Sequence, residues 1–198
     1  WYVHYFASCL ALALLPFGKL FHLVSVPVSL AVRAVGDATD TLPEEDIHHE
    51  WAIPIEREGL PNLHKVSEEL YRGAQPTAEG MQELKKMGIK TVVNLRAFHS
   101  DRDEIGDTEL DYEHIRMTAW HPEEEDIVRF LQIVTDKNRT PIFVHCMHGA
   151  DRTGAVSAVY RIVIEGWTKE EAIQEMTEGG FGFHKIWFNL PNWIEDLD

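Results

Sequence analysis

The stretch from Ile142 to Gly154 constrains this chain more than any other. Ile142-Phe143-Val144-His145 is a short apolar run opened by Pro141, and it reads as a buried strand. It leads directly into Cys146, and after five more residues Arg152-Thr153-Gly154 enters a helical pattern that continues to Glu165. Strand, short loop and helix in immediate succession place the loop where the strand's carboxyl end meets the helix's amino end. In sheets built from such units, that is where ligands bind.

The segments around it alternate in the same way. Residues 70–72 are extended and end at Gly73. Thr77 caps a helix that presents Met81, Leu84 and Met87 on one face and stops at Gly88. Residues 90–95 are rich in Val and read as a strand, and 112–117 as another. Ile127, Phe130, Leu131 and Val134 recur at helical spacing. Thr168 and Glu171 form a capping box for a helix over 169–177, ended by Gly179-Gly180. Strands alternating with helices predict an α/β fold with a mainly parallel sheet.

The loop's chemistry follows from its place. Unpaired N–H groups at a helix amino end stabilise an anion, so Cys146 is held as a thiolate there as readily as a phosphate is bound. The backbone from Met147 through His148, Gly149, Ala150 and Asp151 to Arg152 can curl so that its N–H groups converge on one centre. Gly149 allows a conformation that a side chain resists. Arg152 adds a planar pair of donors for two oxygens. Thr153 is placed to hydrogen-bond the sulfur, and His145 to orient the loop. Asp151 is expected to point outward and pair with a basic neighbour. A lone cysteine is most often a small core residue, but Cys, Gly, Arg, Thr and Gly at fixed offsets between a strand and a helix favour a functional site.

Charge and cysteine usage narrow the partners. The 198 residues carry a net charge of -15, which opposes nucleic-acid binding and leaves any phosphate site to local donors. Two cysteines make no disulfide framework, no Cys/His spacing suggests zinc, and no metal or cofactor is expected. His48-His49 reads as a solvated pair. Residues 1–36 form an apolar segment, largely apolar over 5–35. They are expected to be a signal, a membrane anchor or a packed helix, which makes the protein membrane-associated or exported to a periplasm and otherwise cytoplasmic. Residues 37–69 are acidic, are broken by Pro43, Pro54 and Pro61, and read as a linker and lead-in. The catalytic domain is expected over 70–198.

His-Cys-x5-Arg-Thr-Gly resembles the phosphate-binding signature of the protein tyrosine and dual-specificity phosphatases. Leu-Tyr-Arg-Gly-Ala-Gln-Pro (70–76), Val-Val-Asn-Leu-Arg (92–96), Tyr-Arg-Ile-Val (160–163) and Gly-Gly-Phe-Gly (179–182) are similar to segments of the small bacterial dual-specificity-like enzymes, some of them periplasmic. The resemblance implies a four-stranded parallel sheet flanked by helices and a metal-free, two-step hydrolysis of phosphate monoesters. Cys146 would be the nucleophile and Arg152 the phosphate ligand. The substrate would be a phosphorylated protein, phosphotyrosine above all, or a small phosphoester.

The general acid departs from the family. Its loop reads Thr118-Ala119-Trp120-His121-Pro122-Glu123-Glu124-Glu125-Asp126, and no Asp stands where the relatives carry one. Carboxylates at 124–126 suit the first turn of the next helix, which leaves Glu123 and His121. Glu123 is favoured because it follows Trp-x-Pro. The competing functions are a catalytically weak phosphatase-like module that binds phosphorylated ligands, an inositol phosphate or phosphoinositide phosphatase, and a sulfurtransferase. The last is disfavoured because its loop is typically one residue shorter.

Overall fold

The computed structural model describes residues 49–197. The apolar N-terminal segment, the first part of the acidic linker, Cys9 and His48 lie outside them. Six strands, β1 (Ile53–Pro54), β2 (His64–Lys65), β3 (Leu70–Gly73), β4 (Thr91–Asn94), β5 (Asp111–His114) and β6 (Ile142–His145), form one sheet in the order β1-β2-β3-β6-β4-β5. The four strands from β3 to β5 are parallel, as expected. The first two form an antiparallel extension that the sequence did not announce, because two-residue strands carry no readable periodicity.

Strands β4 and β6 are buried along their whole length, so their central residues Val92, Val93, Ile142, Phe143 and Val144 are apolar on both faces. Alternation divides their side chains between two faces. Val92 pairs with Phe143, and both join Leu60, Met81, Leu84 and Ile105 on one side. Val93 pairs with Val144, and both join Phe130, Val156 and Val159 on the other. The first face is covered by α1 (Ala78–Lys86) and α2 (Arg102–Ile105). The second is covered by α3 (Glu124–Thr135) and α4 (Asp151–Glu165), and α5 (Lys169–Glu178) and α6 (Asn189–Asp196) complete that core. The helix connecting β3 to β4 and the helix connecting β5 to β6 lie on opposite faces, so the winding reverses beside β6. Cys146 follows β6 at that point.

Local signals set the helix ends. The Thr77 side chain accepts a hydrogen bond from the Gly80 N–H, and the Thr168–Glu171 capping box is fully formed. Helix α6 and the 3-10 turn Lys185–Trp187 before it were not foreseen, since Pro191 and the chain's end obscure their short apolar pattern.

The compact unit begins at His49, earlier than the expected boundary at 70. Arg161 of α4 explains this. It is buried against Glu175 at 2.9 and 2.7 Å, lies 4.2 Å over the Trp167 ring and donates to the carbonyls of Glu50 and Val66. Glu175 in turn accepts from the Ala52 N–H at 2.7 Å, so a buried ion pair ties the lead-in to the domain. His49 is not a solvated residue either: it stacks on Trp167 with ring centroids 4.6 Å apart. Among the described residues no helix is long and apolar enough to cross a membrane.

Candidate active site

Cys146 is buried at the end of β6, and the loop after it enters α4 at Ala150. No side chain caps that helix, so its first N–H groups are left for a ligand. Gly149 has φ +71, and a Cβ there would meet the Gly73 carbonyl carbon at 2.4 Å and the Ala74 nitrogen at 2.6 Å. The loop turns in a left-handed conformation while pressed against the end of β3, and glycine alone meets both requirements.

Four contacts from distant parts of the chain hold the loop. Arg72, 1% exposed, donates to the Gly149 carbonyl at 2.8 Å and lies 3.7 Å over the Phe181 ring. Burial lowers its guanidinium to about 10, so it stays charged at neutral pH. The Asn62 amide donates to the carbonyls of His148 and Phe181, each at 2.9 Å. The Gln75 N–H donates to the Met147 carbonyl at 3.2 Å. His145 Nε2 lies 2.7 Å from Asp101 Oδ2, and its Nδ1 lies 3.1 Å from the Cys146 carbonyl. The ring thus bridges the buried Asp101 carboxylate and the first carbonyl of the loop.

Burial works against that carboxylate, but the hydrogen bond and charge of His145, with a hydrogen bond from Gln75, outweigh it and hold Asp101 below the usual range. A depressed carboxyl contributes stability above its unfolded pKa and loses that contribution as pH falls through its folded one. Asp101→Asn removes the charged partner of the buried His145 ring. It is expected to cost about 3–5 kcal/mol at neutral pH, with the deficit shrinking as pH falls through the depressed Asp101 pKa, as read by urea unfolding at several pH values.

Arg152 Nη1 donates to the carbonyls of Leu95 at 3.1 Å and Met117 at 3.4 Å, which leaves the outer edge of the guanidinium for a ligand. The Thr153 hydroxyl is buried with no hydrogen-bond partner, so the expected bond to the sulfur is not formed here. Asp151 does not point outward. It is buried, and it accepts from the backbone N–H of His184 at 2.9 Å and faces Nδ1 of the same residue at 2.9 Å.

Met147, His148, Asp151 and Arg152 of the loop, with His184, line a cavity of about 500 Å³. Arg96, His99, His148, Arg152 and His184 supply its polar wall, and Phe98, Trp120, Met147 and Ile186, all more than half exposed, form an apolar rim. Neither favoured acid candidate lines it. The Thr118 hydroxyl donates to the His121 carbonyl at 2.9 Å and closes a tight turn that carries Trp120 to the cavity, while His121 and Glu123 are exposed beyond it. Glu123 instead precedes the first turn of α3. Asp126, inside that turn, is raised by burial and then by Glu123 and Glu125, and it too lies off the cavity. Sequence reasoning missed Asn62, Arg72, Asp101 and His184; Arg72, within the 70–76 motif, carried the one visible signal.

Two groups among the described residues bring possible metal ligands together, His148-Asp151-His184 and His99-Asp101-Glu104, with ligand atoms within 4.8 Å of one another. In both, carboxylates are already paired with histidines, at 2.9 Å for Asp151–His184 and 3.1 Å for Glu104–His99.

Comparison with known proteins agrees with this geometry. The family model described as "DSP-PTPase phosphatase fused to NAD+ Kinase" matches residues 55–187. The dual specificity protein phosphatase TpbA of Pseudomonas aeruginosa is 35% identical over 122 residues, 61% of this chain and 56% of TpbA, so the match spans little more than half of that relative. A crystal structure of a Cys-to-Ser variant of P. aeruginosa TpbA in complex with phosphotyrosine superposes with a TM-score of 0.69 at 29% identity, covering 77% of this chain and 93% of that one. The catalytic core of Siw14 from S. cerevisiae, at 21% identity and a TM-score of 0.64 over 72% of this chain and 89% of its own, shares the fold.

Proposed function

The chain belongs to the DSP-PTPase phosphatase family, and from that premise we propose that it hydrolyses phosphate monoesters through a phosphocysteine intermediate. One observation carries the reading: the loop that follows the buried Cys146 lines a cavity with Met147, His148, Asp151 and Arg152 as it runs into the uncapped amino end of α4. The Cys146 thiolate attacks phosphorus, an S–P bond forms as the ester P–O bond breaks, and the leaving oxygen takes a proton. Water then attacks phosphorus, the S–P bond breaks, and inorganic phosphate and the thiolate are released. Loop N–H groups and Arg152 hold the equatorial oxygens in both steps, where charge is greatest. The buried His145–Asp101 pair keeps the loop in position beneath the sulfur.

The apolar rim supports an aryl phosphate, and phosphotyrosine first, since an aromatic leaving group fills a mouth lined by Phe98, Trp120 and Ile186. The TpbA complex with phosphotyrosine supports the same class. A second reading, a phosphorylated inositol, is favoured by Arg96 and the three histidines on the cavity wall. A comparison of kcat/KM for phosphotyrosine, phosphoserine and phosphoinositide substrates decides. Phosphotyrosine is expected to lead by at least about tenfold, the worth of about 1.4 kcal/mol of added apolar contact; a leading phosphoinositide would favour the second reading. Attachment to a membrane or export through residues 5–35 rests on their apolar sequence alone.

A further inference from the structure

We propose that His184 is the general acid of this site, held in place by Asp151. This rests on the hydrolytic reading above and supplies the proton that reading requires. Histidines at three positions line the cavity, and their partners distinguish them. The Nε2 of His99 is bound by Glu104 at 3.1 Å. The His148 ring has no hydrogen-bond partner among the described residues to fix it; its nearest aromatic neighbour is His184, with centroids 5.2 Å apart. His99 and His184 each have one nitrogen held by a carboxylate and one without a protein partner among the described residues, but only the carboxylate on His184, Asp151, belongs to the loop and adjoins Arg152. Its Nδ1 donates to the buried Asp151 carboxylate, its backbone N–H donates to the same group, and Nε2 has no protein partner among the described residues.

A carboxylate on Nδ1 sets the tautomer and steadies the protonated ring, leaving Nε2–H as the proton that can be given away. Asp151 immediately precedes Arg152 in the loop, so the acid is registered against the phosphate through one peptide unit. This is a reason for a carboxylate to sit inside a loop that binds anions. As the S–P bond forms and the P–O bond breaks, Nε2–H passes its proton to the leaving oxygen. In the second step the neutral ring takes a proton from the attacking water, so the enzyme returns to its starting state. His184 is 33 residues from Asp151, beyond the glycine-rich segment where Gly180 and Gly182 have positive φ, and no local motif marks it.

The test is His184→Asn, whose amide can still donate to Asp151 while the acidic nitrogen is removed. Its kcat/KM for phosphotyrosine is expected to fall about 10²-fold, against less than about 3-fold for a dinitrophenyl phosphate whose leaving group departs unprotonated. Asp151→Asn is the second variant: removing the negative charge should move the alkaline limb of the phosphotyrosine profile to lower pH, and His184→Asn should abolish that limb. The charged and titratable groups sharing the cavity with His184 are Arg96, His99, His148, Asp151 and Arg152. An equal loss on both esters, no loss on either, or an alkaline limb unmoved in both variants would overturn the assignment. So would a leaving-group-dependent loss in Glu123→Gln or His121→Asn with His184→Asn unaffected. Turnover surviving in Cys146→Ser would instead overturn the phosphocysteine reading itself, so the two failures are distinguishable.

Discussion

Cys146→Ser is expected to lower kcat for any phosphomonoester by on the order of 10⁴-fold or more while leaving the loop able to bind a phosphate analogue. The change replaces one atom in a buried position. The N–H groups at the start of α4, the Arg152 edge and the contacts that shape the loop are untouched. What is lost is ionisation: a hydroxyl is too weak an acid to become the attacking anion near neutral pH, even at a helix amino end. Single-turnover kinetics with vanadate or tungstate binding measured in parallel separate the two effects. Retention of more than a few per cent of kcat would remove the thiolate from the reaction.

The next largest effect is expected at Arg152. One of its nitrogens is engaged by the carbonyls of Leu95 and Met117, so the guanidinium is anchored to the ends of two neighbouring segments and presents its other edge to the ligand. A lysine ammonium is a single point of charge. It can satisfy the carbonyls or reach a phosphate, but it cannot span two oxygens while anchored. Arg152→Lys is therefore expected to reduce kcat/KM by about 10²–10³-fold, comparable to removing an oxyanion donor, with kcat falling along with affinity. A variant within about threefold of the parent would show that charge alone suffices there.

What could be read from the sequence was local. The strand into Cys146, the capping residues Thr77 and Thr168, and the left-handed need at Gly149 are each set by neighbours a few residues away. The four parallel strands followed from the alternation of such units. The supports of the loop join residues far apart, 77 positions between Arg72 and Gly149, 86 between Asn62 and His148, and 44 between Asp101 and His145. No periodicity or spacing encodes contacts of that range. The acid was sought at Glu123 and His121 because Trp-x-Pro-Glu looks like a catalytic loop; the structure leaves both exposed and outside the cavity lining. The 70–76 motif contains Arg72, but nothing in it says that the side chain holds the Gly149 carbonyl.

The missing cap on α4 has a thermodynamic side. A helix end whose N–H groups have no partner is an incomplete piece of secondary structure, whereas α1 and α5 carry a threonine cap built into the chain. On the proposed reading, the cap of α4 is an oxyanion drawn from solution. Its binding free energy therefore enters folding directly, at about 2.7 kcal/mol when free phosphate stands at a hundred times its dissociation constant. The protein's resistance to unfolding becomes a function of the phosphate around it, and product that lingers in the site acts as a removable structural part.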